Sequence, residues 1–241
     1  MSASPQLPLP FADTAEYSAA DFLDAPANQE ARAWLARPAD WPARRLALWG
    51  DAGVGKSHLL HLWARRAGAQ ILTGPALIAS IAPPTTPFAL DDADLFAAEH
   101  PLLHLLNVTA ETGFPLLIAA RSAPARWLAR LPDLASRLAA IATVEVGALD
   151  DARLGVLFAR LLSARQLQLS PPLVSFLLAR LPRHPAALAE AAARLDRASL
   201  AAGRPITRGL ALAALAPLFG PDPEPDCDKS ATASPQARSL L

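Results

Sequence analysis

Apolar positions along this chain fall into two regimes. From about residue 45 to residue 146, short apolar runs alternate with segments whose apolar residues recur every three or four positions. The short runs (45–49, 69–73, 87–91, 115–120 and 142–146) have the length and bounds of strands. The periodic segments between them (56–67, 75–82, 93–110 and 124–140) predict helices. Such alternation predicts an α/β fold: a parallel five-stranded sheet with flanking helices on both faces. An amphipathic helix around Gln29–Leu35, closed by Pro38 and Pro42, precedes the first strand. After Asp150 only helical spacing remains, over about 151–165, 170–181, 184–201 and 205–218. Pro171-Pro172, Pro185 and Pro205 stand near the predicted helix starts, where a missing N–H is tolerated. The expected organisation is an extended arm at 1–20, a core at 21–149, a small all-α domain at 150–219 and a disordered tail at 220–241.

Between the first predicted strand and its helix lies Gly50-Asp51-Ala52-Gly53-Val54-Gly55-Lys56-Ser57, followed by His58-Leu59-Leu60. This is a complete phosphate-binding loop in the strand–loop–helix setting that the chemistry requires. Glycines let the backbone wrap an anion with its N–H groups aimed inward, and the helix N-terminus adds partial positive charge. Lys56 is placed to reach the outer phosphates and Ser57 to hold Mg²⁺. The only other lysine is Lys229, so a chain that otherwise uses arginine for its cations still puts lysine here.

A nucleotide site needs a second, acidic element. Phe88-Ala89-Leu90-Asp91-Asp92 is an apolar strand ending in two carboxylates. Asp91 is the metal-side residue, acting on Mg²⁺ through water, and Asp92 is placed to polarise an attacking water. The same residues also fit a strand followed by a helix cap, with Asp92 or Asp94 as the cap. Arg137, late in a helical segment, fits either a solvated surface or a cation presented to a transferring phosphate. In the arm, Gln6-Leu7-Pro8-Leu9-Pro10-Phe11 reads as a stiff extended peptide with apolar anchors, or as a plain Pro-rich leader.

Composition narrows the remaining options. The formal net charge is zero, which argues against strong nucleic-acid binding by the whole chain, since such binding runs on clustered cations. No apolar run predicts a membrane span, and no basic-then-apolar leader is visible. The single cysteine, Cys227, excludes an internal disulfide framework and fits a reducing cytoplasm. His58, His61, His100, His104 and His184 lack the acidic or cysteine partners that a metal site needs.

Three segments carry a resemblance: Gly-Lys-Ser-His-Leu-Leu at 55–60, Leu-Asp-Asp at 90–92 and Leu-Pro-Asp-Leu-Ala-Ser-Arg-Leu at 131–138. Together they resemble the AAA+ proteins related to the bacterial replication initiator DnaA. Leu195-Asp196-Arg197-Ala198-Ser199, the clamp-motif-like arm, and the lack of a helix-turn-helix domain after about residue 219 narrow this to the Hda family of DnaA inactivators. The resemblance implies ADP or ATP with Mg²⁺ as ligands. It implies docking on the DNA polymerase III sliding clamp (beta subunit) through Gln6, Leu7, Leu9, Pro10 and Phe11. It also implies contact with the DnaA initiator, whose ATP hydrolysis Arg137 would promote as a trans arginine finger. Asn28 falls in a segment that resembles the one lying near adenine. A homodimer is compatible with this family; sequence-specific DNA binding is not expected.

Three positions depart from the family pattern. Ala186 stands where relatives place a nucleotide-sensing lid arginine, with Arg183 close but out of register. The strand at 115–120 ends in Ala119-Ala120, where relatives carry a polar sensor; Arg121 and Ser122 follow. The stretch between the loop helix and Asp91 is short, and initiators use that region to grip single-stranded DNA. The first two predict weak or absent ATP turnover by the chain itself. A helicase loader of the related type is the alternative reading.

Overall fold

The computed structural model describes Tyr17, residues 22–80 and residues 85–219. Gln6, Leu7, Leu9, Pro10, Phe11 and the 220–241 tail lie outside the described residues.

Among the described residues, five short strands form one parallel sheet: β1 (Arg45–Trp49), β2 (Gln70–Thr73), β3 (Phe88–Asp91), β4 (Leu116–Ala120) and β5 (Ala142–Glu145), in the order β2-β3-β4-β1-β5. β1, β3 and β4 are apolar without alternation because both of their faces are covered. Leu46, Leu48, Ala89, Leu117 and Ala119 point to one side. There they meet α1 (Pro26–Leu35) and α2 (Lys56–Ala67) through Leu35, Leu60 and Trp63. Ala47, Phe88, Leu90, Leu116 and Ile118 point to the other. There they meet α3 (Glu99–Thr112) and α4 (Pro132–Ala139) through Leu102, Leu105, Leu134 and Leu138.

Four helices follow: α5 (Asp151–Ala164), α6 (Pro171–Leu178), α7 (Pro185–Ala202) and α8 (Arg208–Leu215). They close a separate apolar cluster around Phe158, Leu177, Leu188, Leu195 and Leu215. Among the described residues, no helix is long and apolar enough to cross a membrane.

Three predicted helices need correction. Among the described residues of the segment predicted at 75–82 there is only a 3-10 turn, Gly74–Ala76. Leu77 is buried and Ile78 exposed, so the apolar pair that suggested a helix face is split between core and solvent. The backbone of Gly74 packs against that of Asp92, and the prolines that follow disfavour a helix. The segment predicted at 93–110 is a short turn, Ala93–Leu95, followed after a break by α3. The segment predicted at 124–140 divides in the same way: a turn at Pro124–Arg126, then α4 beginning at Pro132. Glu99 joins these two breaks. Its carboxylate accepts hydrogen bonds from the Arg130 and Leu131 N–H groups at 2.7 and 2.8 Å. Those two bonds hold the Glu99 carboxyl below its ordinary pKa.

Candidate functional site

The loop at 50–57 leaves the carboxyl end of β1, at the centre of the sheet edge where open parallel sheets bind ligands. Gly50, Gly53 and Gly55 all have positive φ, at 148°, 79° and 109°. This is the backbone course that turns successive N–H groups into an anion cradle. Gly55 is the N-cap of α2, and no side chain caps that helix. Its first-turn amide donors therefore open toward the loop instead of being satisfied by a serine or aspartate.

Lys56 is only 8% exposed, and its Nζ donates to the carbonyls of Gly50 and Asp51 at 2.8 and 2.7 Å. Burial lowers its pKa; Asp91, Asp94 and Asp92 act in the opposite direction and Arg121 in the same one. The lysine thus sits in a ring of loop carbonyls beside the acidic end of β3. Asp91 is half-buried there, and its Oδ1 accepts the Asp92 N–H at 3.0 Å. Asp92 is exposed, with a left-handed backbone (φ 47°), and begins the turn at Ala93–Leu95. Ser57 and Asp91 are hard oxygen donors of the kind that Mg²⁺ takes, and the loop and uncapped helix suit a polyphosphate. The residues present therefore fit a magnesium nucleotide.

Asn28 holds the turn that opens α1. Its Nδ2 donates to the Leu23 carbonyl at 2.9 Å and its Oδ1 accepts the Ala25 N–H at 3.2 Å. This carboxamide is committed to the turn that starts α1, and that turn carries Phe22 close to Gly55. Phe22 meets the His58 ring edge-on, with centroids 5.2 Å apart. Tyr17 stacks on His61 at 4.1 Å and meets His58 edge-on at 5.4 Å. Tyr17 and Phe22 thus pack on the half-buried histidines of the loop helix. Burial, then Asp91 and Asp92, raises the Tyr17 phenol pKa.

Burial also holds the His61 imidazole below its ordinary pKa; Asp91 opposes this and Arg65 adds to it. Below about pH 6.5 the unfolded chain binds a proton that the folded chain still refuses. Stability should therefore rise with pH through the window between the lowered pKa and about 6.5, and be lost as pH falls through it. Urea midpoints at pH 5.5 and 7.5 for the natural chain and His61→Gln provide the check. The variant should show the smaller pH dependence, and equal dependence would contradict the assignment.

Sequence reasoning missed the junction between lid and loop. The Ala186 N–H donates to the Gly53 carbonyl at 3.3 Å. The side chain of His184 caps α7, with Nδ1 accepting the Ala187 N–H at 3.2 Å, and the same ring lies against Gly53. Any Cβ at position 53 would collide with that ring. A histidine just before a proline that opens a helix was the available signal. Arg183 turns away to an exposed ion pair with Asp151 at 2.8 Å.

Arg137 lies in the last turn of α4, at the opposite end of the sheet. There its charge, after burial, helps to lower the pKa of Arg45, the first residue of β1. Arg45 in turn donates from Nη2 to the Leu106 carbonyl at 2.5 Å. From Arg45 to Gly50 the strand rises roughly 16 Å, at about 3.3 Å per residue, which is farther than an arginine side chain extends. Arg137 is 36% exposed and pairs with Asp133 at 3.0 Å, one helical turn back. It therefore cannot serve the phosphate loop of its own chain.

Residues 150–211 match the family model described as "Hda, lid domain". Domain III of the Thermotoga maritima replication initiation protein DnaA superimposes with a TM-score of 0.72 at 17% identity, covering 86% of this chain and 98% of that one. Residues 150–211 are thus similar to an Hda lid domain, and the described chain shares the fold of DnaA domain III. AMPPCP-bound DnaA from Aquifex aeolicus shares the fold with a TM-score of 0.54 at 17% identity, over 67% of this chain and 59% of that one. A variant of Thermotoga maritima RuvB gives 0.58 at 15% identity, over 80% and 68%. No curated protein matches the chain by sequence. The matched lid begins at Asp150, whose carboxylate caps α5 by accepting the Arg153 N–H at 2.8 Å.

Proposed function

We propose that this protein is of the Hda type and restrains chromosome replication by docking on the sliding clamp and driving ATP-bound DnaA to its ADP form. Arg137 carries the reading. It is a half-buried arginine, paired with Asp133, near Arg45 at the start of β1 and so beyond reach of its own nucleotide loop, a placement that suits a nucleotide held by another molecule. In this reading Gly50 to His58 and the α1 turn bind ADP or ATP, Lys56 meets the outer phosphates, and Ser57 and Asp91 hold Mg²⁺. The bound Mg²⁺ supplies charge neutralisation to the phosphates. Asp92 is the residue placed to orient a water. Ala119, Ala120 and Ala186 bring only methyl groups to the positions where relatives sense nucleotide, which suits a chain whose own turnover is weak. Nucleotide then acts as a structural ligand that holds lid and core together across the Gly53–Ala186 contact.

Clamp docking falls to Gln6, Leu7, Leu9, Pro10 and Phe11. A pull-down or biosensor titration with the cognate clamp tests this against a variant with Gln6, Leu9 and Phe11 changed to alanine. The natural chain should bind and the variant should lose about 100-fold or more in affinity, as expected for removing the anchors of a short peptide. No binding by the nucleotide-loaded natural chain would overturn clamp docking and direct attention to the replicative helicase as partner.

A further inference from the structure

We propose that His184 is a positioning residue that seats the lid on the phosphate loop through the chain's own contacts, so that a nucleotide meets a lid already docked. The inference deepens the nucleotide-site reading above, on which its binding predictions rest. Three features fix the imidazole in the lid. The His184 N–H donates to the Pro182 carbonyl at 2.9 Å. Pro185 follows, and a residue before proline is kept extended; His184 has φ −144° and ψ 149°. Its Nδ1 accepts the Ala187 N–H at 3.2 Å and so caps α7. Leu181 and Leu188, on either side, are buried in the lid core. The ring is therefore carried by the lid as a body.

That ring lies on Gly53, whose lack of a Cβ makes room for it. Beside it the Ala186 N–H donates to the Gly53 carbonyl at 3.3 Å. Gly53 also has φ 79°, so the course of the loop and the seat for the ring depend on one glycine. A ring contact and a backbone hydrogen bond thus join lid and loop at one point. Ala186 ends in a methyl group, and the Arg183 guanidinium is engaged by Asp151. A seat built from an imidazole and backbone groups is the same for a nucleoside diphosphate and a triphosphate. His184 therefore makes lid docking independent of the number of phosphates. Pre-docking strengthens binding, because apparent affinity falls in proportion to the fraction of molecules in the competent state.

The test is a lid-to-core distance measured between spin labels at Arg66→Cys on α2 and Leu200→Cys on α7, both exposed positions, in the full chain carrying Cys227→Ser. The decisive variant is His184→Asn. Asparagine is among the best helix N-caps, so this change keeps the cap of α7 and removes only the ring. With His184 in place, the labelled chain should give one narrow distance distribution that Mg²⁺ and ADP leave unchanged. His184→Asn should give a broad distribution that Mg²⁺ and ADP narrow. Calorimetry should then show ADP and ATP weakened equally, by about 10-fold if the lid is seated a tenth of the time. A narrow distribution in His184→Asn without nucleotide overturns the proposal. So does a chain with His184 in place that is broad until ADP is added, or a loss confined to ATP. A chain that stays narrow through His184 yet binds neither nucleotide supports the latch and removes the nucleotide reading instead.

Discussion

Arg137→Ala is expected to keep nucleotide and clamp binding yet lose stimulation of DnaA ATP hydrolysis by about 10³-fold or more, the scale on which an arginine supplied in trans acts. The geometry makes this separation sharp. Arg137 lies in the last turn of α4 beside Arg45, while the phosphate loop follows the far end of β1. Its ion pair with Asp133 is exposed and local to α4, so losing it should cost about 0.5 kcal/mol at most. Leu134 and Leu138, not Arg137, anchor α4 in the core. Arg137→Lys tests the chemistry further, because an ammonium keeps the charge but lacks the planar fork; it should recover little activity. The measurement is phosphate release from ATP-loaded DnaA in the presence of DNA-loaded clamp. Full stimulation by the alanine variant would remove Arg137 from the mechanism.

Gly50→Ala should damage both stability and nucleotide binding. Gly50 has φ +148°, a backbone conformation that L side chains rarely adopt. A Cβ there would lie inside contact distance of the Val146 carbonyl oxygen. That neighbour cannot yield easily, because the Val146 N–H donates to the Trp49 carbonyl at 2.8 Å and continues the β1–β5 pairing. Strain and clash together should cost about 3 kcal/mol, and the loop should lose its cradle. Urea unfolding and nucleotide titration give the two readouts. Gly203→Ala is the control: its φ is also positive, at 57°, but a Cβ would meet nothing within 4 Å. Only the left-handed backbone penalty of about 1–2 kcal/mol should appear there, with nucleotide binding intact. A Gly50→Ala protein as stable as the natural chain would mean that the loop does not adopt this course.

Much of the architecture was legible in the sequence because it depends on neighbours along the chain. The change from alternating strands and helices to helices alone at Asp150 is a change of local period, and the lid helices begin there. The phosphate loop was legible for the same reason: its glycines, lysine and serine act through eight consecutive residues. The failed helix at 75–82 shows the limit. Its apolar pair met the helical pattern, but Leu77 went into the core and Ile78 to solvent, beside a Gly74 that packs on Asp92, eighteen residues away. Only the folded turn shows that the Asn28 amide bonds Leu23 and Ala25.

By itself, the sequence determined the element types, the two-part organisation, the phosphate loop and the acidic strand end, all set by local spacing and side-chain chemistry. The tertiary structure alone decided the strand order that puts β4 between β1 and β3. It also decided that His184 rests on Gly53, that Tyr17 stacks on His61, and that Arg137 stands at the edge away from its own loop. These are meetings between residues far apart in the chain. They follow from which apolar faces bury against which, and no local pattern encodes that choice.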